Sequence, residues 1–319
     1  MQTALNTYPY HKYKRALETI PPPGGNGCHT ALLGVANRGI RAKVPPATIA
    51  NDLRQHTPPG GRTVTDTEIW QAVEKAAREH GKQYTPQPTR ITTGLPIING
   101  TKYRQTLIEQ SRGILEYDMW QMSPLQPDYN PPANMATTLL EQLHSPDEIL
   151  FTGDTYETNV RPVCDIVENI RRTGIVPPHI IPNPLDGEWH LNKNEQPSRR
   201  CDAAVKVFRF CVCEFDNMSM EDQVAFWYSV ISRKLLPVAA LIDSGGKSLH
   251  AWLKLDLPTA IDWDRVVRGQ LYSAQTGLLT VLGADTSCKN QSRLSRLPGH
   301  YRAEKGKWQR LLYLSPHPA

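Results

Sequence analysis

The sequence has no C-x-x-C pair, although it contains six cysteines. This absence excludes a zinc ribbon and a thioredoxin-like redox motif, which both need closely spaced thiols. The cysteines are scattered along the chain, at Cys28, Cys164, Cys201, Cys211, Cys213 and Cys288. We therefore expect reduced thiols in a cytoplasmic protein.

Long apolar runs are missing as well. The longest, at residues 235–242, is far shorter than the ~20 residues of a membrane-spanning helix. The N-terminal stretch carries Tyr, His, Lys and Arg and shows no apolar segment of a secretory signal. These absences predict no membrane partner.

The composition is that of a folded chain with two domains. A length of 319 residues favours two domains, and 39% hydrophobic and 21% charged residues permit a packed core. The net charge of +5 is too small to identify a partner. The excess of positive charge is larger in one segment, because residues 289–310 contain one acid, Glu304, and many cations. These are Lys289, Arg293, Arg296, Arg302, Lys305, Lys307 and Arg310.

Apolar periodicity divides the chain into three regions. We expect a small helical domain at 1–84, a linker rich in Thr, Pro and Gly at 85–102, and an α+β domain at 103–319. The predicted helices are 29–41, 45–53, 65–81, 103–118, 134–144, 159–172, 219–234 and 262–282. The predicted strands are 148–152, 179–182, 205–215, 238–243, 249–255 and 310–314.

Two carboxylates, Glu214 and Asp216, stand at the end of the predicted strand 205–215. Side chains alternate along a strand, so both should share one face. The apolar residues on that face are Phe208, Phe210 and Val212. The two carboxylates repel each other unless a cation lies between them, and Mg²⁺ prefers such oxygen ligands. Alternatively, the strand frays and both are solvated. Cys211 and Cys213 point the other way, into the core.

A glycine turn at residues 243–248 precedes a second polar group. Its Gly-Lys-Ser triplet is not a P-loop, because Leu241 stands where that motif needs glycine and 249–255 alternates like a strand. Lys247, Ser248 and His250 beside exposed backbone N–H groups suit a triphosphate. The alternative is an ordinary surface histidine on a hairpin.

A third group begins with Asp285 after Leu282-Gly-Ala and continues as the basic loop described above. Arginines such as Arg293 and Arg296 bind phosphates through two N–H groups at once. A solvated loop without a ligand is the alternative.

Together the three motifs resemble those of the archaeo-eukaryotic primase superfamily. They are Glu214-Phe-Asp216, Ser248-Leu-His250 and Ala284-Asp285, in the order and spacing of that family. The segments around them look like the primase-polymerases of phages, plasmids and other mobile elements, over about residues 135–314. One departure is that the first acid is Glu, where Asp is commoner.

The resemblance implies an α+β fold: a primase-polymerase catalytic core with a mixed or antiparallel sheet flanked by helices, preceded by a small all-helical domain. It implies a template-dependent DNA primase-polymerase, a nucleotidyltransferase that makes and extends primers from dNTPs or NTPs on single-stranded DNA. A replicative helicase is an expected partner.

The resemblance also implies roles for single residues. Glu214, Asp216 and Asp285 would hold two Mg²⁺ or Mn²⁺ ions, with His250 as a fourth catalytic residue. Nucleotide-binding residues would be Lys247, Ser248, His250, Arg293 and Arg296, and DNA-binding residues Lys289, Arg302 and Lys305.

Further features are open to more than one interpretation. Asn183 resembles a recurrent family position, but an ordinary Asn-Pro turn explains it equally. The segment from Gly25-Asn26 resembles the opening of the family's small helical domain, or else a generic helical cap. Two rival functions stay open: a non-catalytic replication-initiation or nucleic-acid-binding protein that has kept the fold, and a metal-dependent nuclease.

Overall fold

A computed structural model describes residues 7–24, 27–42, 44, 46–80, 100–126, 128, 130–155 and 159–318. The chain separates into two compact units, residues 1–90 and 91–319. Most of the predicted linker at 85–102 lies outside the described residues, as do Gly25, Asn26 and Gly81. No helix in the described ranges is long and apolar enough to cross a membrane.

The first unit is built from helices, as predicted. They are α1 (Thr7–Leu17), α2 (Cys28–Arg41), α3 (Pro46–His56) and α4 (Asp66–Glu79). Their apolar faces meet in one core, which includes Leu32, Val35 and Val73. One buried polar contact joins α1 to α3, where the Tyr13 hydroxyl donates to Asp52 at 2.8 Å.

The second unit contains the strands and the remaining helices. Its helices are α5 (Gly100–Gln110), α6 (Glu116–Gln121), α7 (Ala133–Leu143), α8 (Val163–Thr173), α9 (Met220–Ser232), α10 (Ala260–Trp263) and α11 (Leu278–Val281). Its longer strands are β1 (Ile149–Gly153), β3 (His179–Leu185), β6 (Phe208–Cys213), β7 (Val238–Asp243), β8 (Leu249–Leu257) and β12 (Arg310–Leu314). Shorter strands are β2 (Val160–Pro162), β4 (His190–Leu191), β5 (Pro197–Ser198), β9 (Ser295–Arg296), β10 (Tyr301–Arg302) and β11 (Lys307–Trp308).

These strands form two four-stranded antiparallel sheets and two small hairpins. One sheet has the order β2-β1-β3-β9 and the other the order β12-β7-β8-β6, while β4 pairs with β5 and β10 with β11. Every named pairing is antiparallel. The prediction of an α+β fold with an antiparallel sheet flanked by helices is therefore confirmed.

The second sheet is covered on both faces, so alternate side chains enter different cores. Cys211 and Cys213 of β6 lie in a core with residues of α5 and α9, whereas Phe210 and Val212 lie in a core with residues of α7 and α8. The predicted alternation and the core position of both cysteines are thus confirmed. Phe208 was expected beside Phe210 but lies with the cysteines, because the strand register shifts between the two phenylalanines.

The strand expected at 205–215 is shorter at both ends. The backbone N–H groups of Lys206 and Val207 donate to the Pro184 carbonyl, so β6 begins only at Phe208. Beyond Cys213 the Glu214 carbonyl accepts from the N–H of Asp285 at 2.9 Å. A contact from outside the sheet therefore replaces the next strand hydrogen bond and ends β6.

Two long helices of the sequence prediction are interrupted in the structure. Residues 103–118 divide at Gly113, which has φ +90°, and a new helix starts where the N–H of Leu115 donates to Asp118. Residues 262–282 divide after a π-helical stretch, Asp264–Leu271, because the next residue, Tyr272, enters the core and donates to the Val212 carbonyl at 3.0 Å. The helix expected at 159–172 starts at Val163, since residues 160–162 pair with β1 instead.

Candidate functional site

A cavity of about 720 Å³ lies where β8, β9 and the β10–β11 hairpin meet the turn after β7. It collects most of the side chains that the sequence motifs indicated. Its lining includes Glu214, Lys247, Ser248, His250, Arg293, Arg296, Arg302 and Lys305, together with His179, Ser295 and Lys307. Cations thus outnumber the single carboxylate, which makes the cavity suited to an anion.

Glu214 is the first residue after β6 and is only 7% exposed. One carboxylate oxygen accepts from Arg293 and from the thiol of Cys288, and the other lies 3.2 Å from His250 Nε2. Burial alone would raise the pKa of Glu214, but His250, Arg293 and Cys288 outweigh it and lower the pKa. The carboxylate is therefore ionised at neutral pH.

His250 is held by a buried chain of hydrogen bonds that begins at Trp252. The indole N–H of Trp252 donates to Ser295 Oγ at 2.8 Å, and His250 Nδ1 lies 3.2 Å from the same oxygen. The ionised carboxylate of Glu214, 3.2 Å from Nε2, can only accept, so in a neutral His250 the Nδ1 atom is left to accept from the Ser295 hydroxyl. This assigns the ring proton to Nε2, facing Glu214. Burial, aided by Arg296 and Arg293, lowers the pKa of His250 to about 4.

Asp285 caps the short turn Thr286–Lys289. Its carboxylate accepts from the N–H of Ser287 at 2.9 Å and from the Ser287 hydroxyl. Partial burial opposes ionisation, but these bonds and the charge of Arg293 keep the pKa of Asp285 below its usual range. The turn therefore presents an ionised carboxylate close to Glu214.

Arg293 bridges the two acids, which the sequence did not indicate. Its guanidinium contacts Glu214 and lies 3.3 Å from Asp285. Within the described residues, Glu214, Asp285 and Cys288 form a group whose ligand atoms lie within 4.8 Å of one another. Burial and the neighbouring Glu214 raise the pKa of the Cys288 thiol far above its usual range. At neutral pH this thiol stays protonated and donates to Glu214.

Asp216 is not a member of that group among the described residues. Its carboxylate is 3.2 Å from Lys247 Nζ, and both side chains are largely exposed. The structure therefore brings Glu214, Asp285 and His250 together as the motifs predicted, while Asp216 pairs with a predicted nucleotide-binding lysine.

The turn between β7 and β8 is shaped by Gly245 and by a glutamine from α9. Gly245 has φ +63°, and a side chain there would press on the Trp308 carbonyl at 3.1 Å. Gln223 is fully buried; its side chain donates to the Lys247 carbonyl and accepts from the N–H of Leu249, each at 2.8 Å. Gln223 thus fixes the segment that carries Ser248, although no sequence motif pointed to it.

The predicted DNA-binding residues are divided by the structure. Arg302 and Lys305 line the cavity, while Lys289 is exposed outside its lining. Arg302 is already engaged, because it donates to Glu304 at 2.8 Å and to the Ser244 carbonyl at 3.2 Å. Arg296 forms no ion pair among the described residues, and burial together with Arg302 lowers its pKa. It is the cavity arginine with an uncommitted charge.

Asn183 has a structural role that the two sequence interpretations did not include. It lies in β3 and is 1% exposed. Its amide nitrogen donates to the carbonyls of Phe210 and Gln291, both at 2.9 Å. Its oxygen accepts from the N–H groups of Arg209 and Phe210. One side chain therefore joins β3 to β6 and to the loop that carries Arg293.

Comparison with known proteins adds little to this geometry. No protein-family model and no curated protein matches the chain. Among solved structures, the chain is similar to the AEP domain (PP-N190) of the cyanophage S-2L primase-polymerase (PrimPol), with 16% identity and a TM-score of 0.39. The match covers 60% of this chain and 94% of that one. A similarity of this degree does not establish the family.

Proposed function

We propose that the second unit is a template-dependent nucleotidyltransferase of the primase-polymerase kind. The new bond would join the 3′-oxygen of a strand to the α-phosphorus of a nucleoside triphosphate, while the bond to pyrophosphate breaks and the hydroxyl proton is released. The observation that carries the proposal is the cavity: Glu214 and His250 line it beside a set of Lys and Arg side chains, and Arg293 connects it to Asp285.

Glu214, which is buried, and Asp285, which is partly buried, have the donor atoms that a hard divalent cation requires. Glu214 and Asp285 offer ionised oxygens within 4.8 Å of each other. Arg293 already places positive charge against both, so the pair accommodates a cation. We expect these residues, with Asp216, to hold two Mg²⁺ or Mn²⁺ ions, and Cys288 to stay outside the ligand set as a neutral thiol. Bound ions of this kind activate a hydroxyl and stabilise a leaving phosphate.

The protein's own contribution would be placement and charge. His250 is neutral and directs its Nε2 proton toward Glu214, so this single N–H can either orient that carboxylate or, when a nucleotide is bound, turn to a phosphate oxygen. Arg296 and Lys247 would bind the triphosphate, and Arg293 would exchange its carboxylate contacts for phosphate contacts. The turn at Ser248 adds a hydroxyl at the same wall of the cavity.

A second candidate is a nucleic-acid-binding protein without catalysis. Two observations favour it: Arg293 already neutralises Glu214 and Asp285, and Asp216 is paired with Lys247. In that case the cavity would bind a phosphate of a nucleic acid, and Arg293 would keep its carboxylate contacts.

The test is nucleotide incorporation on a single-stranded DNA template carrying an end label, with Mg²⁺ or Mn²⁺, and with or without a primer. We expect the primer to lengthen, and new primers to appear when none is supplied. Binding without lengthening would favour the non-catalytic candidate, and shortening of the labelled strand would indicate a nuclease. Parallel assays with dNTPs and NTPs determine which sugar is used.

Three finer expectations stay predictions: priming as distinct from extension, a replicative helicase as partner, and a cytoplasmic location. Priming is separated from extension by the primer-free reaction above. A helicase partner would be tested by asking whether a replicative helicase co-purifies with this protein from cells that express it.

A further inference from the structure

Two exposed aromatic rings face each other across the β10–β11 hairpin. Tyr301 and Trp308 are direct cross-strand partners, so their side chains share one face of the hairpin. Their ring centroids are 5.0 Å apart, and the residues are 46% and 44% exposed. Neither ring belongs to a hydrophobic core of the described residues. Folding of the second unit therefore does not account for the pair.

The hairpin that carries these rings is basic and reaches into the cavity. Arg302, Lys305 and Lys307 all lie in the cavity lining. The one acid, Glu304, is paired with Arg302. Lys305 and Lys307 form no ion pair within the described residues, so the hairpin offers two uncommitted positive charges. Lys307 pairs with Arg302 across the strands and lies on the face opposite the rings, while Lys305 lies in the turn that joins the two strands.

The hairpin is attached to the turn that bears the candidate nucleotide-binding residues. Arg302 donates to the Ser244 carbonyl at 3.2 Å, and the Trp308 carbonyl packs against Gly245. At the base of the hairpin, the N–H of Gln309 donates to the His300 carbonyl at 2.8 Å. These contacts fix the hairpin to the turn that lines the cavity, with the two rings on the hairpin face opposite the cavity-lining Arg302 and Lys307.

We propose that Tyr301 and Trp308 form a stacking platform for the bases of a single-stranded nucleic acid. Aromatic rings combined with nearby cations bind single strands, because every base has a face that stacks and every phosphate carries a charge. A protein partner fits less well, since lysines are depleted in protein–protein interfaces. The inference rests on the proposed function in one respect: the bound strand would be the template.

The experiment measures the affinity of the full chain for a labelled oligothymidylate, without metal or nucleotide. We expect Tyr301→Ala and Trp308→Ala to weaken binding about fivefold each, and the double variant more. Trp308→Phe keeps a ring and should retain most of the affinity. Trp189→Ala is the matched control, because Trp189 is another exposed tryptophan, at 61%, and should bind like wild type.

A strand of abasic sites separates stacking from charge, because it keeps the phosphates and lacks the bases. We expect wild type and the double variant to bind it equally, and the salt dependence of oligothymidylate binding to stay unchanged, since that slope counts phosphate contacts. Equal losses on both strands, or no loss on oligothymidylate, would overturn the proposal. So would a change in oligomeric state with unchanged DNA affinity, which would make the rings a self-association face.

The result does not depend on catalysis. If the variants bind oligothymidylate more weakly than wild type, but wild type incorporates no nucleotide, the proposed function is refuted and the stacking platform stands. If the double variant polymerises normally and binds oligothymidylate like wild type, the stacking platform is refuted and the proposed function stands.

Discussion

Arg293 and the two carboxylates that it contacts are the residues on which the proposed chemistry most directly depends. A guanidinium between Glu214 and Asp285 stabilises two buried negative charges that would otherwise repel each other. A divalent cation would neutralise the same two carboxylates with a higher charge. Metal binding at this site would therefore be an exchange of the Arg293 charge for that of a divalent cation.

Removing the charge of Asp285 tests this arrangement. In Asp285→Asn the amide oxygen can still accept from Ser287, so the turn should survive while the negative charge is lost. We expect nucleotide incorporation to fall at least about 100-fold, because loss of a metal ligand costs more than loss of a residue that only orients one. The thermal midpoint should stay the same. Asp147→Asn, at an exposed carboxylate, is the control, and near-normal incorporation by Asp285→Asn would contradict the metal assignment.

Asn183 makes a different prediction, because its four hydrogen bonds are buried and structural. Asn183→Ala leaves carbonyls and N–H groups of β6 without partners. We expect it to lower the free energy of unfolding by about 3 kcal/mol, since each buried unpaired group costs roughly 1–3 kcal/mol. Denaturant unfolding measures the difference. Asn194→Ala, in an exposed turn, should change stability by less than about 0.5 kcal/mol; an equally small effect of Asn183→Ala would show that the amide does not hold these elements together.

His179 makes stability depend on pH. Burial and the charge of Arg296 lower the pKa of His179 to about 4, against about 6.5 in an unfolded chain. The unfolded state therefore binds the proton first, and the contribution of His179 is complete above about pH 6.5 and is lost as the pH falls toward 4. His179→Gln should reduce the loss of unfolding free energy between pH 7 and 4.5 by about 2 kcal/mol. Identical pH profiles for both proteins would contradict the assigned pKa.

At the scale of elements, the sequence predicted best where local signals and packing agree. The prediction of α9 is confirmed, with Ser219 as N-cap accepting from the N–H of Asp222, and β7 and β12 have the predicted bounds. The break in 262–282 was missed because it depends on a distant group, the Val212 carbonyl that accepts from Tyr272, whereas the break in 103–118 is local, at Gly113. The helical periodicity of residues 262–282 does not predict that contact.

The site shows the same limit. Strand ends and motif order were enough to place Glu214 near His250, which lie 3.2 Å apart. Two of their partners, Arg293 and Ser295, come from a segment whose basic composition indicated phosphate binding and nothing of carboxylate contacts. Gln223 carries no sequence signal, and for Asn183 the sequence indicated a recurrent family position or an ordinary Asn-Pro turn but not its four hydrogen bonds.

The basic loop and hairpin yield a prediction for the salt dependence of DNA binding. Lys289 and Lys305 are exposed and form no ion pair among the described residues, so Lys289→Gln and Lys305→Gln should remove charge without disturbing structure. Each lost phosphate contact should reduce the log–log slope of affinity against salt by roughly 0.7 on a single strand. Arg302 is less suitable, because it also anchors the hairpin to Ser244. With Lys193→Gln as control, unchanged slopes would mean that these lysines do not contact DNA.

The whole molecule has two units with separate cores. One core is made of residues from the first unit alone, and the other two of residues from the second. Each unit should therefore fold without the other's apolar contacts. The site described above lies within the second unit, which leaves the first available for a separate task in the reaction.

We expect that task to be initiation. Extension needs one nucleotide and a paired 3′ end, which the duplex itself positions. Priming must also hold a second free nucleotide on an unpaired template, and ordering it costs entropy that a further binding surface can offset. The resemblance to the primase superfamily implies this role for the small helical domain. Exposed Arg38 and Arg41 of α2 supply charge that a triphosphate could contact.

Deleting residues 1–84 separates the two activities. The truncated protein should extend an existing primer at a rate within about twofold of wild type, because the second unit keeps its cores. It should make few or no primers on an unprimed template. Both activities are measured on one preparation, with thermal melting as the folding control, and Arg38→Gln with Arg41→Gln in the full chain tests the same step without truncation. If priming and extension fall together in a folded protein, or if priming survives the deletion, the helical unit has no part in initiation.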